Sequence, residues 1–131
     1  MENTELPLVT VMIPCYNHEK FIKESIQSVI DQTYSRLELI VIDDGSKDNS
    51  IQIIEEMRLA CEQRFEYFQF VFRENRGLSR TLNQGLSLAR GEYFSIVASD
   101  DIMLSEKTAI QVVVFKKDPL ITAVFGAHQY I

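Results

Sequence analysis

Two acidic pairs in this chain each follow directly on an apolar run. In IVIDDGSKDNS, residues 40–50, Asp43 and Asp44 lead into Gly45 and Ser46; in YFSIVASDD, residues 93–101, the run ends at Ser99, Asp100 and Asp101. An unpaired carboxylate is costly to bury, so such runs must deliver their charges to an edge, a partner or a ligand. Carboxylates gathered in one cleft repel each other, and a divalent cation relieves the repulsion. Hard oxygen ligands favour Mn2+ or Mg2+, which bridge carboxylates to substrate phosphates. For either pair alone, the plainer alternative is a turn in which one aspartate caps the next helix. Gly45 fits a tight turn with positive φ. Successive strand side chains alternate, so Asp43 and Asp44 point in different directions, with Asp43 expected near solvent.

Other candidate residues lie near these pairs. The tetrapeptide PCYN offers Pro14, Tyr16 and Asn17: an aromatic ring that can stack on a base, and an amide with both donor and acceptor. In ENRGLSRTLNQG, Arg76 and Arg80 fall near a helix start, where guanidinium groups and the helix dipole can meet a diphosphate. Surface salt bridges are the alternative for these arginines. His18 and His128 have no metal-ligand spacing and read as ordinary residues. No GxGxxG follows the first strand, and neither a GxxxxGK[ST] motif nor a GxSxG elbow occurs.

These residues need a scaffold that brings them to one place. The apolar runs 9–13, 37–42, 67–72 and 93–98 alternate with helical patterns, and a last run, 121–126, reads as a fifth strand. Helical faces are expected through Phe21, Ile22, Ser25, Ile26, Val29 and Ile30, then Ile51, Ile54, Met57 and Cys61. A third face runs through Leu78, Leu82, Leu86 and Ala89, capped by Gly91. A fourth, starting near Ser105, runs through Ile110, Val113, Val114 and the stem of Lys117. Strand–helix alternation implies βαβ units with right-handed crossovers. The expected fold is a three-layer α/β/α sandwich around a mainly parallel sheet, whose doubly buried strands read as continuous apolar runs. Ligands of such sheets bind outside the carboxyl ends of the strands, where both acidic pairs fall.

Composition narrows the class. A chain of 131 residues is long enough for one domain without a disulfide or metal staple. Its 13 basic and 19 acidic residues leave a charge of −6 with no block of either sign, which argues against nucleic acid or an anionic membrane as the main partner. Cys15 and Cys61 read as free thiols of a reducing compartment. The N-terminus lacks signal-peptide character and no apolar run reaches spanning length. The segment is therefore expected in the cytoplasm, with peripheral attachment to the inner face of the membrane left open.

In order and spacing, VTVMIPCYN, SVIDQTY, LELIVIDDGSKDNS and ENRGLSRTLNQGLSLARGEYFSIVASDD resemble family 2 glycosyltransferases of the GT-A fold, over most of residues 9–101. The resemblance implies a nucleotide-sugar donor, usually carrying UDP, a divalent metal, and a saccharide or lipid-linked acceptor. Carried over by position, Pro14, Tyr16 and Asn17 would border the nucleoside, and Asp44 would hydrogen-bond the base with Asp43 beside it. Ser99, Asp100 and Asp101 would occupy the DxD region that holds ribose and the metal-bound diphosphate, with Asp101 and Asp100 as the metal ligands.

The sequence departs from the common family pattern at Ala98, where an aspartate is usual, and at Leu82, where an arginine often precedes the asparagine. The family's acceptor site and catalytic base fall beyond Ile131. The expectation is therefore one domain over residues 1–131 that forms the donor-binding part of an inverting enzyme and is barely active alone. Self-association through an uncovered edge or apolar face is an open option. Two other classes compete with this reading. A receiver-like signalling domain needs its acidic pair after the first strand, where PCYN stands. A non-catalytic nucleotide-binding or interaction module fits the missing base.

Overall fold

The computed structural model describes residues 6–118 and 120–124. In chain order the elements are β1 (Val9–Cys15), α1 (Ile22–Ile30), β2 (Leu37–Asp44), α2 (Ser50–Glu56), α3 (Arg58–Arg64), β3 (Tyr67–Arg73), α4 (Leu78–Leu88), β4 (Tyr93–Ile96) and α5 (Lys107–Lys117). The four strands pair in parallel in the order β3-β2-β1-β4. Both central strands are buried on both faces, which is why they read as unbroken apolar runs.

The strands divide their side chains between two helical layers. Val9, Val11 and Ile13 of β1, with Leu37, Leu39 and Val41 of β2, join Ile22, Ile26 and Val29 of α1, Ile54 of α2 and Cys61 of α3. On the other face Met12, Ile40 and Ile42 meet Leu82, Leu88 and Ala89 from α4 and the residue after it. The expected three-layer α/β/α arrangement is thus present.

Several local expectations are corrected. The second helical stretch is two helices broken at Met57, yet Ile54, Met57 and Cys61 remain buried across the break. On α4, Leu78 and Leu86 are exposed, and the covered face carries Thr81, Leu82, Gly85 and Leu88. The α4 helix ends at Ala89 rather than at a Gly91 cap. Gly91 instead lies against β1, where a Cβ would come within 2.6 Å of both the Thr10 backbone nitrogen and Oγ1. On α5, Thr108 and Val112 are buried and Phe115 stacks on Tyr93, while Ile110 and Val113 face solvent. Residues 121–124 take no strand pairing, and the rest of the expected fifth strand, like His128, lies outside the described residues.

The amino end of the sheet holds a polar residue concealed in the apolar run LELIVI. Glu38 is fully buried, and its Oε1 accepts from Thr10 Oγ1 at 2.7 Å and the Arg90 backbone N–H at 2.8 Å. Thr10 Oγ1 in turn accepts from the Gly91 N–H, so the α4–β4 connection is fastened to β1 and β2.

Cys15 and Cys61 are buried free thiols. Burial, aided by the nearby Asp43 charge, pushes Cys15 up to about 11, and burial pushes Cys61 up to about 12. The thiolate is the reactive form. Iodoacetamide at pH 8 should therefore label neither cysteine of the folded protein and both in denaturant, as read by mass spectrometry; rapid labelling of the native protein would contradict this packing.

Candidate functional site

Parallel pairing puts the carboxyl ends of all four strands on one edge. The chain runs outward from β1 to β2 and β3, then returns past β1 to lay down β4, so the order of connection reverses between β1 and β4. Such a reversal is the usual ligand position in open α/β sheets. Pro14 helps to end the pairing of β1 with β4. The Val97 N–H donates to the Met12 carbonyl, so the even-numbered backbone groups of β1 face β4. Pro14 is the next such residue and has no N–H, and strand pairing with β4 stops at Met12–Ile96. The chain from Ala98 is free to leave the sheet.

The first acidic pair divides its work differently from expectation. The β2 strand runs two residues further than its apolar core, through both aspartates. Asp43 is fully buried rather than near solvent. Its Oδ2 accepts the Ser46 N–H at 2.8 Å and its Oδ1 the Ser46 hydroxyl at 2.6 Å. This closes the turn through Gly45, which has φ +83°. Ser46 Oγ accepts the Asn17 N–H, while Asn17 Oδ1 accepts the Lys47 N–H at 2.7 Å, so the loops after β1 and β2 are clasped together. Asn17 sits at φ +53°, a left-handed conformation asparagine tolerates better than most residues. Its carbonyl is therefore committed to the protein, and Asp43 is a turn-building residue.

Asp44 is also buried, and it gathers the loop that follows β3. Register places it directly opposite Arg73, whose Nη1 donates to Asp44 Oδ1. The same oxygen accepts the Arg76 backbone N–H at 2.8 Å, and Oδ2 accepts the Gly77 N–H at 3.1 Å. Burial acts to raise the Asp44 carboxyl, but the Arg76 N–H, the Arg73 guanidinium and the Gly77 N–H together hold it below the usual carboxylate value. Arg73 is itself fixed, donating from Nε to Gln84 Oε1 and from Nη2 to Thr81 Oγ1, each at 2.9 Å. Sequence reasoning missed this arginine. The side chains of Arg76 and Arg80 are exposed, and among the described residues neither forms an ion pair.

After β4, Ser99 is buried and its hydroxyl meets His18 Nδ1 at 2.5 Å, so His18 joins the loops after β1 and β4. The loop that follows is positioned from α1 and the turn after it, by residues three and four apart. Ser25 donates to the Ala98 carbonyl, Ser28 Oγ accepts the Met103 N–H, and Gln32 Nε2 donates to the Leu104 carbonyl at 2.7 Å. Gln32 Oε1 also accepts from both the N–H and hydroxyl of Thr108. Asp100, Asp101 and Tyr16 face solvent at this edge.

Among the described residues no group of three or more His, Cys, Asp or Glu side chains forms a metal cage. Two exposed adjacent carboxylates nevertheless fit a hard cation whose remaining ligands are phosphate oxygens and water. An open groove of about 620 Å³, lined by residues including Arg36, Tyr67, Arg90 and Lys116, lies at the opposite edge of the sheet and contains none of the candidate residues.

The fold is that of GT-A glycosyltransferases, as solved structures show. A mannosyltransferase from Pyrobaculum calidifontis, in complex with GDP-Man and Mn2+, matches with a TM-score of 0.78 and 28% identity, over 90% of this chain and 34% of that one. TarS residues 1–349 from S. aureus, in complex with UDP, matches with a TM-score of 0.73 and 28% identity, over 83% and 32%. The sequence profile of glycosyl transferase family 2 matches residues 10–130, and the chain belongs to that family. A glycosyltransferase of Rickettsia felis is 37% identical over 98% of this chain, and glycosyltransferase GlyG of Streptococcus pneumoniae is 37% identical over 73%. The chain spans 21% of the length of the former and 31% of the latter. No helix among the described residues is long and apolar enough to cross a membrane.

Proposed function

We propose that this chain binds the nucleotide of a nucleotide-diphosphate sugar, with a UDP-sugar as donor, and that the longer enzyme transfers the sugar with inversion to a saccharide or lipid-linked hydroxyl. The observation that carries this reading is the placement of the Asp44 clamp and of Ser99–Asp101 on opposite sides of the β1 end, at one sheet edge. Tyr16 is exposed there for a base to stack on, Pro14 and Asn17 border the nucleoside, and Asp44 accepts a base N–H. Ser99 and Asp100 lie toward the ribose and diphosphate, with Arg76 and Arg80 free to neutralise phosphate charge.

Mn2+ or Mg2+ would be held by Asp101 and Asp100 and would supply Lewis-acid stabilisation of the departing diphosphate. Asp43 shapes the turn that presents Asp44. The general base that an inverting transfer requires is assigned to no residue of this chain.

Calorimetric titration with UDP, with and without Mn2+, tests the reading. Binding is expected, and it should tighten with Mn2+ in the wild type but not in Asp101→Ala. Absence of UDP binding under both conditions would overturn it.

A further inference from the structure

We propose that Arg73 is a specificity-determining positioning residue that limits the base site to a ring presenting a single N–H donor. The inference rests on the reading of Asp44 as the residue that meets the base. An ionised carboxylate has about four lone-pair positions, two on each oxygen. Here Oδ1 accepts from Arg73 Nη1 and the Arg76 N–H, so both of its positions are filled. Oδ2 accepts from the Gly77 N–H alone. One position on one oxygen remains for a ligand.

Arg73 cannot readily vacate its place. Its Nε and Nη2 are held by Gln84 and Thr81 on α4, and Nη1 also donates to the Glu74 carbonyl at 3.2 Å. The Arg73 and Asp44 side chains are only 13% and 9% exposed, so little water is available to satisfy a ligand donor that finds no protein acceptor. Uracil presents one imide N–H and matches the single open position. Guanine presents N1–H and the 2-amino group side by side, and pairing both with a carboxylate needs one free position on each oxygen. The second donor of guanine would therefore be buried without a partner. Hypoxanthine has the guanine ring system without the 2-amino group and presents only N1–H. Removing the Arg73 donor leaves one open position on each oxygen, the arrangement guanine requires.

The test compares dissociation constants for UDP, GDP and IDP, in the presence of Mn2+, on the wild type, Arg73→Met and Arg73→Lys. On the wild type, IDP should bind about ten-fold more tightly than GDP, the effect of one unsatisfied donor. In Arg73→Met that ratio should fall to one or below, whereas Arg73→Lys, which keeps a donor on Oδ1, should preserve it. The wild-type comparison of IDP with GDP needs no variant, so a poorly folded Arg73→Met leaves the proposal falsifiable. A loop merely loosened by the substitution would weaken all three nucleotides together and leave the ratio in place. UDP binding accompanied by equal IDP and GDP affinities on the wild type, including no binding of either purine, would overturn the role of Arg73 alone. Failure of UDP to bind the wild type would overturn the underlying reading of Asp44 as well.

Discussion

Alanine at position 44 is expected to lower the free energy of unfolding by about 3–5 kcal/mol, the usual consequence of removing one partner from a buried ion pair. The loss comes from the groups left behind. The Arg73 guanidinium would face a cavity where its carboxylate had been, and the N–H groups of Arg76 and Gly77 would lose their acceptor. Against a typical total of about 5–15 kcal/mol, this removes a large fraction of the stability. Urea denaturation at pH 7 measures it directly, and a shift below about 1 kcal/mol would show that the clamp is dispensable.

The pH dependence carries the same signature. The native Asp44 carboxyl lies below its ordinary value of 3.8, so its contribution is present above that value and disappears as pH falls through the lowered native pKa. The difference between wild type and Asp44→Ala should therefore narrow below about pH 4. In the UDP titration, Asp44→Ala reports on the proposed base contact under conditions where circular dichroism shows the variant folded.

The sheet was legible because its physics is one-dimensional. A parallel strand covered on both sides is apolar at nearly every position, and runs 9–13 and 37–42 announce this without reference to any partner, Thr10 and Glu38 aside. The helices were legible as elements but not always as faces. On α4 the tempting spacing of Leu78, Leu82 and Leu86 competes with Thr81 and Gly85, whose small side chains let the helix approach the sheet. On α5 the same contest is won by Thr108 and Val112.

In the candidate site, the acidic loops and the edge they share followed from strand order alone. The roles of individual carboxylates did not. Asp43 carries its explanation three residues away in Ser46, a local pattern that spacing can reveal. Asp44 depends on Arg73, 29 residues distant, and only the β2–β3 register places them opposite each other. His18, read as ordinary, gains its partner Ser99 from the loop after β4, 81 residues later. Each missed residue is polar, single in its motif and defined by a contact that exists only after the sheet has formed.

Gly45→Ala should be comparably damaging, about 2–5 kcal/mol, by two separable causes. At φ +83° an alanine pays the left-handed penalty of about 1–2 kcal/mol. Its Cβ would also come within 2.7 Å of the Asn75 backbone nitrogen and 3.2 Å of the Asn75 Cα, and overpacking of this kind costs about 1–3 kcal/mol. The atoms in the way are main chain, so no side-chain rotation relieves the contact. They belong to the segment whose Arg76 and Gly77 N–H groups hold Asp44, so displacing it should also pull those donors from the carboxylate. Gly45→Asn separates the causes, because asparagine tolerates the left-handed region and retains the clash. If Asn is nearly as harmful as Ala in chemical denaturation, close approach of the two loops dominates; if Asn restores most of the stability, backbone conformation does. The coupling itself is read from the double variant: Gly45→Ala combined with Asp44→Ala should cost less than the two losses added, because each disrupts the same junction between the β2 turn and the β3–α4 loop. Strict additivity would mean that the turn and the clamp act independently, and this sheet edge would then rest on two supports rather than one.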